Sequence, residues 1–232
     1  MILTLGTWGF YKTGCQENIE KVIAYAINQG VTHFDTALVY GEGDAERCLG
    51  MFSSESISIT TKIPGMVKPI GETPISHCYT RDWILRCTER SLINLHRIDT
   101  LLLHNWSSFF ENSYELEFIL YTLDEIKRSG LCKRVGISLP NHFNNIPSAS
   151  VCSACDVIML PYNDENQWAV AAASHLKSQN VDVMIRSIFL SGRRVPCEFL
   201  GRSKVIKSAN FADELVIGTT SCKHLDELIS LI

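Results

Sequence analysis

The strongest constraint on this chain's fold is a rhythm. Eight short apolar runs, rich in branched residues, recur along it: Ile2–Leu5, Thr32–Asp35, Ile57–Lys62, Ile98–His104, Arg134–Ser138, Val157–Leu160, Val181–Arg186 and Leu215–Ile217. Continuous apolar character suits strands covered on both faces, as in parallel sheets. Amphipathic stretches lie between them. Across Gln16–Gln29, the apolar residues Ile19, Val22, Ile23, Ala26 and Ile27 keep helical spacing, and Gly30 ends the segment. Ser113–Ser129 reads as another helix, with Asn112 and Glu115 at capping-box spacing and Gly130 closing it. Asp164–Ser178 and Cys222–Leu231 are further helices, and one more opens at Thr80 or Asp82 and runs to about Asn94.

Eight rounds of strand and helix in 232 residues predict a compact (β/α)8 barrel, one domain over residues 1–232. An open doubly wound sheet is the competitor. Its G-x-G-x-x-G fingerprint is absent after the first run, where the chain reads Gly6-Thr7-Trp8-Gly9. Composition then excludes classes of function. With 25 acidic and 21 basic side chains the formal charge is −4, which argues against a nucleic-acid partner. No apolar run approaches the roughly 20 residues that span a bilayer, so no membrane partner is expected. The opening Met-Ile-Leu-Thr-Leu-Gly has no basic segment, so no secretion signal is expected either. Nine cysteines, an odd number, then read as reduced thiols in a cytoplasmic protein. Cys152-Ser153-Ala154-Cys155 is a lone C-x-x-C without a second pair or a spaced His, and predicts buried or incidental thiols and no metal site. Oligomeric state is not legible.

A barrel gathers its chemistry where strands end at the carboxyl face. Asp35 closes the second run, Lys62 the third and His104 the fourth, while Tyr40 follows the second. Taken singly these are a turn former, an edge charge and a core histidine. Four complementary groups at three consecutive strand ends read as a site.

These residues carry the pattern of the aldo-keto reductase family. Asp35-Thr36-Ala37-Leu38-Val39-Tyr40-Gly41, with Glu46 and Leu49-Gly50, resembles the family's D-T-A-x-x-Y-G-x(n)-E-x-x-L-G block. Thr60-Thr61-Lys62 and Asp99–His104 resemble its third- and fourth-strand motifs, and Lys127–Ser138 the stretch into the fifth strand. The resemblance implies a catalytic tetrad of Asp35, Tyr40, Lys62 and His104. It also implies an NADPH cofactor and a small carbonyl substrate reduced to an alcohol. Tyr40 would be the general acid, assisted by Lys62 and Asp35, with His104 orienting the carbonyl. For the cofactor, the resemblance implies Thr7 and Trp8 after the first strand and Ser138 at the end of the fifth. From the seventh-strand loop come Arg186, Ser187, Phe189, Ser191 and Gly192, and from the eighth-strand loop Gly218, Thr219, Ser221, Lys223 and His224. Trp8, Trp106 and Phe109 are candidates for an aromatic substrate wall.

The chain also departs from the family pattern. Leu139 stands where an Asn usually follows the fifth-strand Ser, and Met159 where a sixth-strand Gln is usual; both normally clamp the nicotinamide carboxamide. His224 replaces an arginine and Leu228 an asparagine in the eighth-strand helix. The frame is expected to lack the N-terminal hairpin plug and to have shortened C-terminal loops, including the connection from the seventh strand to the eighth. The missing carboxamide ligands motivate an alternative, a non-redox acid–base enzyme (eliminase, dehydratase or isomerase) on the same barrel.

Overall fold

The computed structural model describes residues 1–10, 16–190, 193 and 198–232. The eight runs form parallel strands: β1 (Ile2–Gly6), β2 (His33–Asp35), β3 (Ser58–Ile63), β4 (Thr100–His104), β5 (Arg134–Ser138), β6 (Val157–Pro161), β7 (Asp182–Arg186) and β8 (Glu214–Ile217). They pair in chain order and β8 returns to β1, which closes a (β/α)8 barrel. Around it run α1 (Gln16–Asn28), α2 (Asp44–Gly50), α3 (Ile75–Cys78), α4 (Arg81–Leu95), α5 (Leu116–Arg128), α6 (Ala149–Ala154), α7 (Trp168–Ser178), α8 (Phe199–Lys207) and α9 (Cys222–Ile229). Among the described residues no helix is long and apolar enough to cross a membrane.

Three helix expectations need correction. Asn112 does not cap α5 but ends a 3-10 turn over Ser108–Asn112, and the Ser113 hydroxyl accepts from the Glu115 N–H at 3.2 Å instead. The helix after β6 opens at Trp168, because Asn163 and Asn166 exchange backbone hydrogen bonds of 3.1 Å and fold residues 163–166 into a turn. Between β7 and β8 the shortened connection still carries a helix, α8, whose weak amphipathic pattern hid it. Thr80 does open α4, its side chain accepting from the Trp83 N–H at 3.2 Å.

Successive residues of a strand point to opposite faces, and in a closed barrel one face is the lumen. Leu102, Val157, Met159, Met184 and Val216 form a buried cluster separate from the main core, and fill the barrel's middle. Leu101, Leu103, Ile59 and Ile63 point outward into the larger core under the helices. Below the apolar layer, Arg134 donates to Thr100 Oγ1, Asp182 and Glu214, and Thr4 also donates to Glu214. Above it the same alternation turns Lys62, His104, Ser138 and Arg186 toward the mouth, His104 and Arg186 lying two residues on from Leu102 and Met184.

Two residues of the D-T-A-x-x-Y-G block serve the outer layer. Glu46 is fully buried and accepts from Thr61 Oγ1 at 2.6 Å, Ser91 Oγ at 2.8 Å and Asn94 Nδ2 at 2.9 Å, which ties α2 to β3 and α4. Gly50 lies where α2 meets the end of α4, and a Cβ there would collide with the Asn94 carbonyl oxygen. Overpacking of this kind costs about 1–3 kcal/mol. Gly50→Ala is therefore expected to lower the unfolding free energy by about 2 kcal/mol in urea titrations; unchanged stability would show that α4 yields freely.

Candidate active site

The polar groups at the strand ends converge at the carboxyl-side mouth of the barrel. Register sets Asp35 beside Thr60, Lys62 beside Leu102 and His104 beside Ser138. Lys62 is buried, and its ammonium donates to Asp35 Oδ1 at 2.6 Å and to the Thr36 carbonyl at 2.7 Å. The same nitrogen lies 5.2 Å from the centroid of the Tyr40 ring. Local backbone delivers Tyr40: Gly41, Glu42 and Gly43 all hold positive φ, and this left-handed run turns the chain into α2. Glycine bears that conformation without a Cβ clash, which accounts for two of the three residues. The Tyr40 and His104 rings meet edge to face, with centroids 6.2 Å apart. Behind His104, the Tyr79 hydroxyl donates to its carbonyl, and Asn105 reverses the chain at φ 58°.

Burial dominates the electrostatics. It pushes the Tyr40 phenol above its ordinary value near 10, while Lys62 and Arg186 pull it down, so the hydroxyl keeps its proton at neutral pH. Burial also pushes the Asp35 carboxyl up, and the charge and hydrogen bond of Lys62 oppose it. His104 is pushed down to about 3, first by burial and then by Lys62 and Arg186. It is a neutral imidazole, and its buried Nδ1 has no hydrogen-bond partner among the described residues. A bound polar group or an ordered water would satisfy it.

Arg186 joins this group from the far side. Its Nη1 donates to Asn141 Oδ1 at 2.7 Å and Ser187 Oγ at 2.8 Å, and its Nη2 donates to the Leu139 carbonyl at 2.6 Å. Sequence reasoning assigned Arg186 to the dinucleotide and missed Tyr79, Leu139 and Asn141. Leu139 acts through its backbone and Asn141 sits in an irregular loop, so neither carries a sequence signal.

Beside the group lies a cleft of about 280 Å³ between the loops after β3, β4 and β5, lined by Lys68, Asn105, Phe109, Pro140 and His142 among others. Phe109, in the cleft lining, and Trp8, after β1 and outside that lining, are each 44% exposed. Trp106 is among the residues lining the cleft but has no solvent-exposed surface; it donates from Nε1 to Glu111 at 3.2 Å and packs edge-on against Phe110. Thr7 is also fully buried, and its hydroxyl donates to Thr36 Oγ1 at 3.0 Å rather than facing the opening.

The positions assigned to a dinucleotide divide into two ends. After β7, Ser187 and Leu190 hold positive φ of 65° and 47° and Phe189 is buried; Ser191 and Gly192 lie outside the described residues. After β8, Gly218 is exposed, Ser221 Oγ accepts from the His224 N–H at 3.5 Å, and Lys223 and His224 are exposed at the start of α9. A helix N-terminus with adjoining cationic or polar side chains fits phosphate. The carboxamide end fits poorly: Ser138 is buried and donates to the Met159 sulfur at 3.4 Å, and Leu139 is buried. Elsewhere, burial pushes the Cys152 and Cys155 thiols up and leaves both reduced and unreactive.

A model of the aldo/keto reductase family matches residues 2–193. The chain belongs to the aldo/keto reductase family. Solved structures of the same fold include a protein of Pseudomonas aeruginosa assigned to the aldo-keto reductases (22% identity, 99% of this chain and 88% of the other, TM-score 0.77). An aldo-keto reductase of Bacillus halodurans in its holo form is similar at 16% identity, 99% and 85% coverage and TM-score 0.76. A glycerol dehydrogenase of Gluconobacter oxydans is similar at 14% identity, 99% and 86% coverage and TM-score 0.77. This aldo/keto reductase is accordingly an oxidoreductase.

The His104 shift has a consequence for stability. Between about pH 6.5 and 3 the unfolded chain takes up a proton on this residue and the folded aldo/keto reductase does not, so stability falls as pH falls through that window. The slope is at most about 1.4 kcal/mol per pH unit. Urea unfolding at pH 7 and pH 5 is expected to show a drop smaller by about 1–2 kcal/mol in His104→Gln than in wild type. Equal drops would mean that His104 titrates normally.

Proposed function

We propose that this chain is an NADPH-dependent carbonyl reductase in which Tyr40 protonates the substrate oxygen. The observation that carries the reading is the cluster itself: a protonated phenol beside a buried ammonium, with a neutral imidazole edge-on to the phenol. When bound, the reduced nicotinamide would supply the hydride that forms the new C–H bond. The proton for the oxygen comes from Tyr40 Oη, and the phenolate left behind is stabilised by Lys62. Asp35 and the Thr36 carbonyl hold the ammonium in place. His104, uncharged, serves as a hydrogen-bonding partner that orients the carbonyl, not as an acid. Among the described residues seven cysteines are free and six of these are buried; we read them as thiols of a cytoplasmic protein.

Ser187, Phe189 and Gly218 would lie along the dinucleotide, with Ser191 and Gly192 assigned by resemblance. Thr219, Ser221, Lys223 and His224 would receive the 2′-phosphate. Lysine is a point charge and does not form the bidentate fork of an arginine, so discrimination is expected to be modest. NADPH should bind more tightly than NADH by about tenfold, or ~1.4 kcal/mol. Fluorescence titration with both cofactors measures this, and equal affinities would refute the phosphate assignment.

Tyr40→Phe tests the acid. Turnover should fall by about 10²–10⁴-fold, the usual contribution of general acid–base catalysis, with cofactor affinity nearly constant. Near-normal turnover would remove Tyr40 from the mechanism. A second reading, non-redox acid–base chemistry on the same residues, rests on the carboxamide end, where Ser138 is committed to Met159. Absence of saturable NADPH binding up to millimolar concentration would favour it.

A further inference from the structure

The barrel lumen holds two arginines, and they are treated differently. Arg134, at the floor, is neutralised by Glu214 at 2.6 Å and Asp182 at 3.0 Å. Arg186, at the mouth, meets only neutral acceptors: the Leu139 carbonyl, Asn141 Oδ1 and Ser187 Oγ. Those three bonds use three of its five N–H groups, and the Nε–H and one Nη2 N–H have no partner among the described residues. The one carboxylate of the cluster, Asp35, is hydrogen-bonded to Lys62. With Tyr40 and His104 neutral, the cluster of Asp35, Lys62 and Arg186 carries one positive charge more than it carries negative.

A half-buried guanidinium that shares the Asp35 carboxylate with Lys62 is incompletely neutralised, at a cost, and a planar fork with two spare donors matches a carboxylate. Burial lowers the basicity of Arg186, which records that cost, although a guanidinium remains charged at neutral pH. Position adds to the argument. Arg186 ends β7 and reaches Leu139 and Asn141 across β6, the neighbours in sequence of Pro140 and His142 in the cleft lining, and its charge acts on both Tyr40 and His104. A carbonyl compound held against Tyr40 and His104 therefore lies in the field of Arg186.

We infer that Arg186 is a substrate-anion receptor, and that the carbonyl compounds reduced here carry a carboxylate close to the carbonyl, as 2-oxo acids do. This rests on the reductase reading above and adds the substrate class. It requires no new chemical step: hydride and proton add to the C=O as before, and the carboxylate is unchanged.

A matched pair of substrates tests the inference, phenylglyoxylate against its methyl ester, which differ in charge while keeping the same ketone. With NADPH, wild type is expected to show kcat/KM at least tenfold higher for the acid. In Arg186→Gln that ratio should collapse to about one, and in Arg186→Lys, which keeps the charge but not the fork, it should fall in between. Oxamate, a carboxylate that is not reduced, provides a binding readout by calorimetry on the protein alone. Wild type should bind it at millimolar or better, and a folded Arg186→Gln at least tenfold more weakly. An acid-to-ester ratio indifferent to Arg186, or oxamate binding that is absent or unchanged by the substitution, overturns the inference. A variant that loses NADPH affinity while the ratio persists would assign Arg186 to the cofactor instead. If neither ketone is reduced, the reductase reading fails, and the oxamate arm alone decides whether Arg186 receives an anion.

Discussion

The buried pair of Lys62 and Asp35 is the interaction on which the mouth of the barrel depends. Two charges taken out of water cost several kcal/mol each, and only close pairing with further hydrogen bonds offsets that. Here the offset comes from the 2.6 Å bond between them and from the Thr36 carbonyl. Neither contact survives unless β2 and β3 are neighbours in fixed register. The pair also sets the behaviour of its surroundings: its ammonium favours phenolate at Tyr40 and helps hold His104 neutral.

Around that pair the lumen is layered by charge. At the floor Arg134 is bonded to two carboxylates, the middle is apolar, and in the cluster at the mouth Lys62 and Arg186 share one carboxylate, Asp35. A floor cation held by two carboxylates suits a structural role, while two cations sharing one carboxylate above suit a site whose ligand completes it.

Several residues that looked chemical in the sequence turn out to be architectural, and the reverse. Glu46 and Gly50 sit in the most specific motif of the chain, yet they join α2 to its neighbours and never approach the mouth. Trp106 follows His104 by two residues but turns into the core, where its indole N–H finds Glu111. Tyr79, at the end of a four-residue helix and without any motif, holds the backbone of His104.

What the sequence determined by itself was local: eight apolar runs, the helices between most of them, and the polar residue that closes five of those runs. Strand length and a two-residue side-chain period are properties of the nearest neighbours in the chain, so Asp35, Lys62 and His104 could be placed at strand ends without any coordinates. Closure of the sheet decided the rest. The meeting of Arg186 with Leu139 and Asn141, 47 and 45 residues away, follows from barrel register. So do the loss of Ser138 to Met159 and the seating of Thr7 beneath Thr36. Register is fixed by the packing of all eight strands at once, and a single run of sequence does not contain it.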